Sequence, residues 1–255
     1  MVQPTTTSVT AQKRRTIVIL STVLLTALYW VSALWYTNKG PFSKDLVVFH
    51  TLCGYSNPQY DLYQYFYQFA ITVLLYVVVP WLIVKYYFNE SFVELSWRHL
   101  RNKTALLVCA IIYPLVLAST WFSSNEPVLQ SEYPLSKLIG SSWGIFILYQ
   151  CSYFFYFFSY ETFYRGYLQF GYLGNKPGKR DIITILLIQT VITTLFHIGK
   201  PGTEVLMAAL FGPVFGYVAI RFNSMWYGMW IHFLMNVFMD FFILYRLHLL
   251  PEKFI

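Results

Sequence analysis

Long apolar runs alternate with short polar ones along the whole chain. The runs cover about 16–36, 64–88, 105–122, 143–172, 182–198, 204–220 and 225–246. Several match or exceed the roughly 20 residues needed to cross a bilayer core as a helix. Backbone groups in lipid must bond within their own segment, so these runs are predicted to be helices. The fold class is an all-α, polytopic transmembrane helix bundle of about seven spans. Pro80 and Pro114 lie inside two runs, where proline is expected to kink a helix. Residues 37–63 read as a long loop, with turn signals at Gly40-Pro41 and Asn57-Pro58. Asn89–Thr104 reads as a polar connector with a short interfacial helix. No repeat or separate soluble domain is evident. Residues 1–140 form a section of N-terminal membrane helices and loops, and 141–255 a core that carries the polar motifs.

Composition supports this pattern. Hydrophobic residues make up 57% of the 255, and charged residues only 11%. A soluble domain carries about 25% charge, so this chain could not cover a water-facing surface. Its partner is the lipid bilayer. Aromatics reach 21%, many near span ends, where ring and polar tip suit the interface. The first run follows Lys13, Arg14 and Arg15, and Val31-Ser32-Ala33 offers a small-residue cleavage pattern. The run is longer than the roughly 7–15 residues of a signal-peptide core, so it reads as the first span.

The net charge of +7 sits in short loops, which points to topology and anionic lipid rather than to nucleic acid. With a cytoplasmic N-terminus, eleven of the 18 Lys and Arg fall in inside segments and six outside, with Arg165 in the membrane. That bias predicts an N-inside, C-outside protein of the plasma membrane. Cys53, Cys109 and Cys151 form no CxxC pair and read as small apolar residues.

Ionisable residues within spans are costly and need a reason. Three groups of polar residues occupy such positions. Glu161 and Arg165 are four apart and share one helix face. They form either a steered carboxylate that activates water or an ion pair that lets the helix insert. His197 ends the fifth run, where a lone His is more often a hydrogen-bonded structural residue. His232 and Asn236 are again four apart. They could donate to a developing oxyanion or simply bond between helices. Together, one acid, two imidazoles and one amide make up most of a hydrolytic site.

These residues resemble the CPBP family, which includes CAAX prenyl endopeptidases and bacterial abortive-infection-type intramembrane proteases. The family pattern is Glu-Glu-x-x-x-Arg, Phe-x-x-x-His and His-x-x-x-Asn. Here it reads Tyr160-Glu161-Thr162-Phe163-Tyr164-Arg165, Thr193 to His197, and His232 to Asn236, over about residues 157–238. The resemblance implies an intramembrane endopeptidase acting on a membrane protein or peptide. Glu161 and His197 would activate water, His232 and Asn236 would hold the carbonyl oxygen, and Arg165 would fix Glu161. Two departures stand out: Thr193 replaces Phe, and Tyr160 replaces the first Glu, the one the family uses to activate water. Successive helical residues point about 100° apart, so Glu161 cannot simply take that carboxylate's place. A catalytically inactive membrane-binding or scaffold protein is the alternative, followed by a proton-linked transporter. Zinc held by Glu161, His197 and His232 is a further option, with an open water position.

Depth raises one conflict. At 1.5 Å per residue, Glu161 lies about 16 Å deep and His232 about 12 Å, but His197 about 24 Å. The depths agree better if the Gly199–Thr203 turn sits inside the protein. Glu204 would then be a second acid near His197.

Overall fold

A computed structural model describes residues 9–36, 60–97, 102–174 and 177–254. The described residues are helical and contain no strand. The chain forms α1 (Ala11–Tyr36), then α2 (Tyr60–Val73), which runs on through two π-helical stretches to Phe88. Next come α3 (Phe92–Ser96), α4 (Lys103–Ser123) and α5 (Pro127–Glu132). α6 (Trp143–Glu161) continues as a π-helix over Thr162–Phe170 and closes at Leu173. α7 (Lys179–Phe196), α8 (Gly202–Phe222) and α9 (Trp226–Arg246) complete the bundle. The short helix expected in the Asn89–Thr104 connector is α3. Most of the predicted 37–63 loop, with its two turn signals and Cys53, lies outside the described residues, and residues 60–63 are already helical.

Five helices among the described residues are long and apolar enough to cross a membrane: the first two, α4, α8 and α9. The other two apolar runs fold as helices too, but α7 opens on Lys179, Arg180 and Asp181, and α6 is rich in tyrosine and polar residues. These two helices carry most of the candidate chemistry.

Local sequence sets the helix ends. Ser91, Asn102 and Ser142 each accept a bond from a backbone N–H three residues on, which satisfies first-turn donors. Asp181 returns a bond to the Gly178 N–H at the start of α7. Asn89 and Asn223 stop their helices in the left-handed conformation that asparagine tolerates. Pro80 falls between the π-helical stretches Leu74–Val78 and Ile83–Phe88. Its missing N–H is accommodated where the ladder is already widened.

The bundle is built inside out. Leu20, Leu24, Leu107, Leu115, Leu187 and Leu210 all face outward, as expected of a surface solvated by lipid. Inside, aromatic rings pack closely, for example Tyr76 on Phe163 with centroids 4.2 Å apart. Cys151 faces outward and Cys109 is half-buried, and both are free thiols. α7 lies along α8, α9 against α4 and α6, and α2 against α6. Gly216 permits the closest approach: a Cβ there would sit 2.5 Å from Gln169 Nε2 and Gln189 Oε1.

Charged contacts gather at the two ends. At one, Arg14 pairs with Glu90 and donates to the Gly171 carbonyl at 2.8 Å, and Arg15 meets Asp181 at 2.9 Å. The Gly178 N–H and Arg15 hold the Asp181 carboxyl below its ordinary pKa. At the other end, Lys200 pairs with Glu132 at 2.6 Å, and Arg246 donates to Ser124 Oγ and the Trp121 carbonyl, each at 2.8 Å. The chain is therefore clamped at both ends around its polar middle.

Candidate active site

Glu161 is the last residue of the regular α6 turn before the ladder widens into the π-helix. π-helical turns of this kind are frequent at functional sites. The widened stretch is anchored on all sides: Trp97 Nε1 donates to Thr162 Oγ1 at 3.0 Å, and the hydroxyls of Tyr164 and Thr26 lie 2.9 Å apart. Glu161 is 0% exposed. Its Oε1 accepts from His232 Nδ1 at 2.9 Å, and its Oε2 lies 3.2 Å from Arg165 Nε. A buried carboxylate needs this company, because an isolated charge in such surroundings is very expensive. The bond at Nδ1 leaves the His232 Nε2 as the free ring position.

Tyr160 points elsewhere, as the turn of the helix requires. Its ring stands edge-on to His232 at 5.7 Å and 5.9 Å from Phe196, with the Arg165 guanidinium 5.4 Å from its centroid. Tyr160 lines a cavity of about 490 Å³, whose wall also includes His197, Glu204, His232 and Asn236. An adjoining space of about 200 Å³ shares these residues and adds Arg165. Glu161 is absent from the lining of both.

His197 caps α7. Its Nδ1 lies 2.6 Å from the Thr193 carbonyl. A carbonyl only accepts, so Nδ1 carries the proton and neutral His197 presents a lone pair at Nε2. That Nε2 lies 3.9 Å from Glu204 Oε1. A polar chain supports Thr193 from behind: Gln169 Nε2 donates to Gln189 Oε1 at 2.9 Å, and Gln189 Nε2 to Thr193 Oγ1 at 3.3 Å.

The expected residues thus converge, but with other partners. Glu161 engages His232 rather than His197, and His197 faces Glu204. Asn236 lines the cavity and donates one amide N–H to the His232 carbonyl at 3.0 Å, which leaves its second N–H available. The Gly199–Thr203 turn, expected inside the protein, lies at its surface with Gly199, Gly202 and Thr203 exposed, but Glu204 does come close to His197 as expected. Gly199, at φ 93°, and Pro201 turn the chain back, and Glu204 falls in the first turn of α8, beside His197. Tyr133 donates to Glu204 Oε1 at 2.9 Å. Burial, with Glu204 beside it, holds the Tyr133 phenol well above its ordinary pKa, so it remains a donor.

Zinc does not fit this arrangement. Among the described residues, no three His, Cys, Asp or Glu side chains converge as a metal site would need. The two imidazoles each face a different carboxylate.

Sequence reasoning passed over two buried residues. Asp240 is one turn beyond Asn236 and accepts from Gln150 Nε2 at 2.8 Å. The spacing of His232, Asn236 and Asp240, each four apart, is the signal that could have found it. Tyr133 gave no signal, because nothing in its local sequence ties it to Glu204.

Fold and site together define a polytopic helical membrane protein with paired acids and imidazoles around an internal cavity. Residues 141–238 match the family model described as type II CAAX prenyl endopeptidase Rce1-like, so this segment is similar to proteases of that type. No curated protein and no solved structure matches the chain.

Proposed function

We propose that the chain is an intramembrane endopeptidase that hydrolyses a peptide bond in a membrane-associated protein or peptide. The observation that carries this reading is the meeting of His197, His232 and Asn236 on one cavity wall, within a segment of CAAX-protease type. The lone pair of His197 Nε2 takes a proton from water as the water oxygen attacks the scissile carbonyl carbon. The oxyanion that forms lies against His232 and the free N–H of Asn236. His232, held through Nδ1 by buried Glu161, donates from Nε2 in its doubly protonated form, and Arg165 flanks Glu161. Collapse of the intermediate breaks the C–N bond, and the proton held at His197 passes to the leaving nitrogen. Glu161 and Arg165 therefore act as positioning residues in this scheme.

The test is cleavage of a labelled membrane-peptide library, with and without prenylated C-termini, by the protein in proteoliposomes. His197→Ala and His232→Ala should each lower the rate by about 10²-fold or more. Rates equal to the parent's in both variants would reject the scheme.

Tyr160 on the cavity wall favours a second reading, in which the cavity binds a membrane peptide without cutting it. Cleavage that appears only in Tyr160→Glu would select it. We place the N-terminus in the cytoplasm and the protein in the plasma membrane, on the Lys and Arg bias. In a cysteine-free background, an impermeant thiol reagent on intact cells should then label Glu252→Cys and spare Glu94→Cys. The reverse pattern would invert the topology.

A further inference from the structure

We infer that Glu204 is the carboxylate that activates water with His197, in place of the acid that Tyr160 displaces from α6. The inference rests on the protease reading above and assigns the acid within it.

Four observations point to Glu204. Its Oε1 is 3.9 Å from His197 Nε2, the ring atom that the Thr193 carbonyl leaves unprotonated. Both side chains line the cavity, whereas Glu161 is 0% exposed, lines neither space, and sits between His232 and Arg165. Tyr133 fixes Oε1 by a bond of 2.9 Å, and Oε2 is buried with no hydrogen-bond partner among the described residues. Finally, Lys200, which also lines the cavity, pairs with Glu132 at 2.6 Å rather than with Glu204.

The distance has a chemical meaning. Two acceptors 3.9 Å apart cannot bond to each other. Each can accept from one shared water at about 2.8 Å, which sets an angle near 90° at the water oxygen. Both O–H bonds of that water then point at the protein, and its lone pair points into the cavity. On attack, the oxygen bonds to the carbonyl carbon and one proton moves to the His197–Glu204 pair. That proton leaves on the amine nitrogen as the C–N bond breaks, and the other stays on the new carboxyl group. Glu204 reaches this position because the Gly199–Pro201 turn folds the start of α8 back beneath His197. The missing acid of one helix is thereby replaced from another. Tyr133 is a positioning residue that holds the carboxylate in this rotamer.

The test uses the whole protein in nanodiscs and two readouts. One is cleavage rate against pH for the parent, Glu204→Gln, Glu204→Asp and His197→Ala. The other is the protonation midpoint of His197, read from its ring ¹⁵N shifts. Groups that face His197 from outside its own helix are Glu204, His232 and Lys200, so His232 and Lys200 stay intact while Glu204 is varied. We expect Glu204→Gln to cut at least about 10²-fold more slowly, with Glu204→Asp between it and the parent. Loss of the facing negative charge should also lower the His197 midpoint by about one pH unit or more. Cleavage by Glu204→Gln within twofold of the parent, while His197→Ala is dead, would overturn the assignment and leave the protease reading intact. If the parent cleaves nothing, the protease reading falls, and a midpoint unmoved by Glu204→Gln would then reject the pairing as well.

Discussion

The molecule holds two pairs of one glutamate and one histidine, and they differ in every respect but composition. Glu161 and His232 bond directly at 2.9 Å, with Arg165 alongside and the carboxylate wholly buried. His197 and Glu204 stand 3.9 Å apart, each about one-fifth exposed, on the wall of a cavity. In the first pair only His232 reaches the cavity wall, and the Glu161 carboxylate lines neither space. The second sets an open ring nitrogen opposite an oxygen that accepts from Tyr133 and has a lone pair to spare. Burial away from any cavity suits a carboxylate for holding another group in place, and partial exposure on a cavity wall suits it for moving protons. The position of an acid in a motif therefore says less about its role than its exposure does.

This contrast can be broken by substitution, and the largest effect should come from the buried pair. Glu161→Ala strands the Arg165 charge inside the bundle and should cost about 3–5 kcal/mol of stability. The check is thermal unfolding in detergent, where the variant should melt well below the parent or fail to accumulate. Next is Gly216→Ala. Its added methyl meets Gln169 and Gln189 at 2.5 Å, and overpacking of this kind costs about 1–3 kcal/mol. Because those glutamines support Thr193 and hence His197, cleavage should fall as well. Tyr133→Phe removes one hydrogen bond to Glu204, worth about 1 kcal/mol, so the rate should drop several-fold while the fold persists. The smallest effect belongs to the half-buried Arg15–Asp181 pair near one end of the bundle. Asp181 has a depressed pKa, so whatever it adds is present above the ordinary carboxylate range and is lost as pH falls through the depressed value. Asp181→Asn should leave the melting temperature at neutral pH unchanged within error.

Much of this was readable before any coordinates. Hydropathy located the helices to within a few residues, because lipid leaves the backbone no other choice. Spacing of four put Glu161 with Arg165 and His232 with Asn236, since helical geometry is local. Partnership between helices was not readable in the same way. Glu161 and His197 looked like partners because they were the acid and base that the motifs offered, yet rotation about α6 aims Glu161 at α9. Glu204 was visible only through a contradiction in depth, because straight helices counted from the membrane edge left His197 too far from its fellows. Asp240 was hidden by the apolar residues around it in α9. Each of these depends on how far one helix is turned or shifted against another, which hydrophobic periodicity alone does not encode.

The division of labour between the two acids is tested most directly by the unfolding midpoints of Glu161→Gln and Glu204→Gln, measured side by side in the same lipid. The account predicts that Glu161→Gln melts several degrees below the parent, because Arg165 and His232 lose the charge that holds them, and that Glu204→Gln melts with the parent. Equal losses, or a larger loss for Glu204→Gln, would contradict it.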